Sequence, residues 1–239
     1  MIHNELVKQT VYVSILMQLV TTLISLDGLN YNLLPRDSVL HDILILEAIV
    51  QFIEAGFYIW VILALKDLDK MTSRRYIDWF FTTPTMLVST IVFMEYLRIK
   101  QENKDSFTLI EFVKTHKQDI LIIATLNLGM LTFGFLGEIG ILSVSKSVAL
   151  GTVPFLMSFK FIYDNYARYT ELGKGLFWVM FSLWSLYAVA ACMPVVGKNA
   201  LYNILDVFSK NFYGLFIYYY VTTVGQRKNH GSISVMSSS

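Results

Sequence analysis

Seven stretches of about twenty mostly apolar residues succeed one another along this chain, near 8–27, 41–65, 76–97, 119–140, 142–163, 175–196 and 201–224. A helix of that length crosses the hydrocarbon core of a bilayer, where lipid leaves each backbone N–H and C=O to be satisfied within its own segment. The chain therefore reads as an all-α, multi-pass integral membrane protein, a seven-transmembrane helix bundle. Composition agrees, with 55% of the 239 residues hydrophobic and only 15% charged, and a mean hydropathy of +0.53 that an ordinary soluble domain does not reach. Glu5 and the missing small-residue cleavage site before Asp27 argue that the first span is a retained helix and not a leader. Placing the N-terminus outside puts eleven Lys and Arg on the inner side against six on the outer, which favours N-out, C-in. Residues 1–228 form the bundle, and the Ser-rich segment 229–239 reads as a disordered tail.

In such a chain, function is sought in the polar residues that lie at membrane depth. Lys210 sits near the middle of the last span with about ten mostly apolar or aromatic residues on each side, too deep to snorkel. An ammonium there costs at least roughly 2.5 kcal/mol. Asp206 lies one turn earlier on the same face. The pair is either a structural ion pair or the setting of a lysine that condenses with an aldehyde as a Schiff base. In the second span Glu47 and Glu54 are two turns apart with Gln51 between them, all on one face. They read as protonated acids bonded to neighbouring helices or as one side of a wet, cation-accessible file. Ser14 and Gln18 in the first span are either inter-helix glue or part of that file.

The third span opens on Arg75-Tyr76-Ile77-Asp78-Trp79-Phe80-Phe81-Thr82-Thr83-Pro84. Helix-end decoration does not account for an arginine, an aspartate and Thr-Thr-Pro together, and threonines before a proline can offset the backbone bond it removes. No metal site is expected: Cys192 is alone, and no Cys/His cluster has ligand spacing. His41 and His116 fall near helix ends and read as solvated loop residues. The stretch 66–74 reads as a solvated charged link, and 109–117 as a short amphipathic piece on the membrane surface.

Arg-Tyr-x-Asp-Trp-x-x-Thr-Thr-Pro in the third span, together with Leu-Asp-x-x-x-Lys in the seventh, resembles the microbial (type 1) rhodopsins across all seven spans. The resemblance implies all-trans retinal held covalently on Lys210 as a protonated Schiff base, with Asp78 and Asp206 as counter-ions and Arg75 completing the cluster. Two positive and two negative charges would then close it to zero. The resemblance further implies a retinal pocket of Tyr76, Trp79, Thr82, Thr83, Met130, Gly134, Phe155, Trp184, Tyr187 and Ser209. Ala188 and Ala191 stand where many members carry proline and tryptophan, and Val148 and Phe155 replace more familiar pocket residues. The hydroxyl of Ser209 beside the lysine implies blue-green absorption.

What light would drive is a second question. Counting from Asp78, the family's key triplet reads Asp78, Thr82, Ser89, and Ser89 stands at the donor position, where outward proton pumps hold a carboxylic acid. The next acid is Glu95, and the turn Met193–Lys198 lacks the paired glutamates of some pumps, so a fast pump is disfavoured. Ser14, Gln18, Glu47, Gln51, Glu54, Asn203 and Asn211 instead form a candidate ion path between the first, second and seventh helices. The pattern resembles the rhodopsins of large algal viruses, among them a group that gates cations with light, and oxygen-rich side chains suit cations. The leading expectation is thus a photoreceptor acting as a light-gated cation channel for protons, monovalent and divalent cations. A slow light-driven outward proton pump is the alternative, and a sensory rhodopsin signalling to a partner the third. The partners expected are the lipid bilayer and cations, with a homo-oligomer left open; neither enzymatic activity nor a nucleic-acid partner is expected.

Overall fold

A computed structural model describes residues 2–62 and 68–227. The long elements are α1 (Ile2–Asp27), α2 (Val39–Ile62), α3 (Leu68–Gln101), the short α4 (Leu109–Thr115), α5 (Lys117–Glu138), α6 (Val144–Asn165), α7 (Glu171–Ala191), α8 (Val195–Asp206) and α9 (Phe212–Val224). A five-residue π turn, Val207–Asn211, joins α8 to α9 into one rod and contains Lys210. Such wide turns inside helices are frequent at functional sites.

Each long element packs on the next, α1 on α2, α2 on α3, α3 on α5, α5 on α6, α6 on α7 and α7 on α8, and the α8–α9 rod returns against α1 and α2 to close the ring. This is the seven-helix membrane bundle expected. Among the described residues five helices are long and apolar enough to cross a membrane on their own composition. The other two are α6, whose sequence carries Lys160 and Asp164, and the rod, whose centre is charged.

Burial on α1 runs through Val7, Val11, Ser14, Gln18, Thr21 and Ser25, at alternating steps of four and three, the spacing of one helix face. Four of those six are polar, while Leu16, Leu19 and Leu23 point outward. The helix is therefore wetter inside than out, the reverse of a soluble amphipathic helix. On α2 the buried face holds Glu47, Gln51, Glu54 and Tyr58.

Several expectations need correction. The link 66–74 is helical from Leu68, with Met71 and Thr72 buried and Arg74 lying over the Trp60 ring at 4.4 Å. Burial of those two side chains carries α3 beyond its apolar stretch. Lys66, Asp67, the last residues of the second span and the tail 229–239 lie outside the described residues. The threonines before Pro84 do not bond the carbonyl that proline releases, which by helical spacing is that of Phe80. Their hydroxyls bond the carbonyls of Asp78 and Trp79, each one turn back, and α3 runs on through the proline.

His116 is not solvated but half-buried, stacked on Phe112 at 4.2 Å. The amphipathic piece is α4, fixed by a capping box in which the Thr108 hydroxyl accepts from the Glu111 amide and the Thr108 amide donates back. Bonds from the backbone amide and then the hydroxyl of Thr108 hold the Glu111 carboxyl below its ordinary range. Phe112 faces the bundle, and Ile110 and Val113 face out. Loop 28–38 is tied to the residues just after α9 by a two-residue antiparallel pairing, Tyr31 with Arg227 and Asn32 with Gln226.

Candidate functional site

The π turn points Lys210 into the middle of the bundle, where it is buried. Its Nζ lies 2.8 Å from Asp78 Oδ2, 3.1 Å from Glu54 Oε1 and 3.9 Å from Asp206 Oδ1. Three helices therefore each present a carboxyl to one amine. Arg75 does not join this group through Asp78: its Nη1 is 2.9 Å from Asp206 Oδ2, and its Nη2 donates to Asn203 Oδ1.

The balance expected from two acids and two cations is corrected by Glu54, which belongs to the cluster as well as to the candidate path. Three carboxyls against two cations carry one net negative charge if all are ionised. They close to zero when one holds a proton, and a buried cluster is stable only near closure.

Asp206 is the most fully bonded acid. It accepts from Tyr58 at 2.8 Å, Tyr187 at 2.8 Å and the Trp79 indole at 3.3 Å, besides Arg75. Among the described residues Asp78 has a single hydrogen-bond partner, Lys210, and its Oδ1 has none. Asp206 is thus anchored by four groups, while Asp78 is held only by the amine and is the freer to accept a proton. The sequence reading missed Tyr58; its signal was its position one turn after Glu54 on the same face.

Beside Lys210 opens a cavity of about 430 Å³, within the ~300–1,000 Å³ range of small-molecule sites. Tyr76, Trp79, Thr83, Met130, Gly134, Phe155, Trp184, Tyr187 and Ser209 all line it, as do Val148, Ala188 and Ala191. Thr82 is the exception: its hydroxyl is turned to the Asp78 carbonyl, which holds it behind the wall. Thr83 accepts from Asn127 at 2.7 Å, and Tyr187 and Ser209 share a bond of 2.9 Å. Gly134 is required because a Cβ there would sit 2.6 Å from the Tyr76 hydroxyl. A mostly apolar cavity with aromatic walls, lined also by an amine flanked by acids, suits an apolar aldehyde.

The proposed path residues fall into two groups. Ser14 donates to the Asn203 carbonyl at 3.1 Å, Asn203 also donates to Thr10 at 2.7 Å, and Thr21 donates to Asn211 at 2.5 Å. These bonds join α1 to the α8–α9 rod. Glu47 by contrast turns to α3, where it shares a bond with Ser89. Both polar atoms of the Gln18 amide, Gln51 Nε2, Asn211 Nδ2, Glu54 Oε2 and Glu47 Oε2 are buried without a hydrogen-bond partner among the described residues.

The bacteriorhodopsin-like family model matches residues 8–224. The chain belongs to this family, the microbial rhodopsins. Among solved structures it is similar to the viral rhodopsin OLPVRII, with 27% identity, 92% of this chain and 99% of that one covered, and a TM-score of 0.78. It also shares the fold of the blue light-absorbing proteorhodopsin from Med12, at 17% identity over 91% and 97% of the two chains and a TM-score of 0.70. Halorhodopsin, a light-driven chloride pump, is similar in fold at 14% identity over 91% and 95% of the two chains, with a TM-score of 0.68. A search of curated proteins finds no match. This microbial rhodopsin is thus related to the viral rhodopsins, within a family whose members bind retinal through a lysine.

Proposed function

We propose that this rhodopsin is a light-gated cation channel whose pigment is all-trans retinal on Lys210 and whose path runs between α1, α2 and the α8–α9 rod. Retinal joined to Lys210 supplies a visible-light-absorbing cation at Nζ whose isomerisation moves that charge. The chain's residues do the rest. Trp79, Trp184 and Tyr187 wall the cavity, Asp78 and Asp206 balance the charge, and Arg75, Tyr58 and Tyr187 hold Asp206 still.

The observation that carries this reading is the 3.1 Å contact between Lys210 Nζ and Glu54 Oε1. It makes one carboxyl a member of both the charge cluster and the polar file, so displacing the Lys210 charge releases Glu54 inside the path. Unpartnered amide and carboxyl atoms of Gln18, Gln51, Asn211 and Glu54 extend the file along the same interface. Such groups are tolerated in a membrane where they line water, and oxygen ligands then replace part of a cation's hydration.

The bond between Glu47 and Ser89 favours a second reading, a slow outward proton pump, since it brings an acid to the position where α3 itself has a serine. Whole-cell photocurrents recorded across a range of voltages separate the two. A channel's current reverses at a potential that follows the cation gradient, whereas a pump's keeps one sign. Currents of one sign at every voltage would overturn the channel. Glu54→Gln or Glu54→Ala is expected to change amplitude and selectivity, and unaltered currents would remove the basis for this path.

A further inference from the structure

We infer that this protein takes its pigment preferentially as a ring-hydroxylated retinal, whose hydroxyl is held by the ion pair of Glu138 and Lys198 in the cavity wall. The inference rests on Lys210 as the attachment point and adds a second point of recognition for the same aldehyde. It does not depend on whether the protein conducts or pumps.

Glu138 and Lys198 both line the cavity beside Lys210. Glu138 is the last residue of α5, and Lys198 lies in the first turn of α8. Short turns join α5 to α6 and α7 to α8, so the ends of α5 and α7 and the start of α8 share one end of the bundle. Lys198 precedes Lys210 by twelve residues, about 18 Å of helical rise, which puts the pair in a part of the wall remote from the amine. There Lys198 Nζ donates to both oxygens of Glu138, at 3.0 and 2.8 Å. The phenols of Tyr76 and Tyr202, which also line the cavity, interact electrostatically with the same carboxylate. Around the pair the wall carries little bulk: Gly134 and Gly137 lie within one turn of Glu138, and Ala188 and Ala191 belong to the last turn of α7.

An all-hydrocarbon ring seated against this pair would leave part of its hydrogen-bonding capacity facing apolar surface, and a buried ion pair is costly unless its remaining donors and acceptors are used. An ammonium has three hydrogens, and Glu138 engages Lys198 through two bonds. The third hydrogen and the carboxylate's free lone pairs suit a hydroxyl, which both accepts and donates. A dry site built around a ligand hydroxyl rejects the analogue lacking it by roughly 10⁴-fold or more. The Lys198 and Glu138 side chains keep 11% and 12% of their exposure, so water competes for the same bonds and the preference expected here is about tenfold.

The test offers limiting full-length apoprotein an equimolar mixture of all-trans retinal and all-trans 3-hydroxyretinal, and in a second series the 4-hydroxy compound. Bound aldehyde is then released with hydroxylamine and its composition read by chromatography. At least one hydroxylated aldehyde is expected to exceed retinal about tenfold in the bound fraction. Replacing the pair, Glu138→Leu with Lys198→Met, should bring that ratio to about one, a change that loss of a purely structural tie between α5 and α8 does not produce. Ala191→Trp fills the space beside the pair and should lower the ratio in the same way, which keeps the test decisive if the double variant does not fold. A ratio near one for both hydroxylated aldehydes in the unaltered protein, or a preference that survives in either variant, would overturn the inference. Absence of a visible band with every aldehyde would instead refute Lys210 as the attachment point.

Discussion

Around Lys210 the three carboxyls of Glu54, Asp78 and Asp206 come from α2, α3 and α8, so single substitutions report on single contacts. Tyr58 donates to Asp206 and accepts from Arg75 at the same hydroxyl. Tyr58→Phe should lower stability by about 1.5–3 kcal/mol, the worth of a hydrogen bond to a charged group, and shift the visible band. The temperature of thermal bleaching checks the first effect and the absorption maximum the second. At one end of the bundle Lys198 pairs with Glu138 at 2.8 Å, both nearly buried. Lys198→Ala leaves that carboxylate unpaired and should cost about 3 kcal/mol, most of which removal of both partners restores; the bleaching temperatures of the single and double variants measure this. From sequence, the depth of Lys210 and its one-turn relation to Asp206 were legible because both lie on one helix. The contact with Glu54 crosses helices, and no spacing within one chain segment encodes it.

At the scale of elements, α1 is organised by a polar stripe that finds too few partners. Gln18 is buried with neither amide atom bonded to any of the described residues. Gln18→Leu should therefore leave stability unchanged or raise it while it reduces photocurrent, and a variant that loses both stability and current would contradict that assignment. Gly214 lets α9 approach Gln51. Gly214→Ala gains about 0.8–1 kcal/mol of helix propensity but must displace the Gln51 amide, so its bleaching temperature should move little and its photocurrent should fall.

Helix positions were readable from apolar length, and the ends were less so. Met71 and Thr72 prolong α3 because they are buried against neighbours, which hydropathy does not report. The π turn was also invisible, since Val207–Asn211 has no residue that marks a wider turn. Ser14 and Gln18 stood out on α1, whereas Thr21 and Ser25 needed the observed burial to place them on the same stripe.

In the whole molecule, the ring of seven spans brings the first, second and seventh together, so that a charge cluster and a polar file share Glu54. The ring and its central lysine followed from seven apolar lengths and two short motifs. The sharing of Glu54 did not, because it depends on how α2 is rotated against the rod. The most direct test of the account is reconstitution of the purified protein and of Lys210→Ala with all-trans retinal, followed by visible absorption. The account predicts a blue-green band in the first and none in the second. No band in the first, or the same band in both, would contradict it.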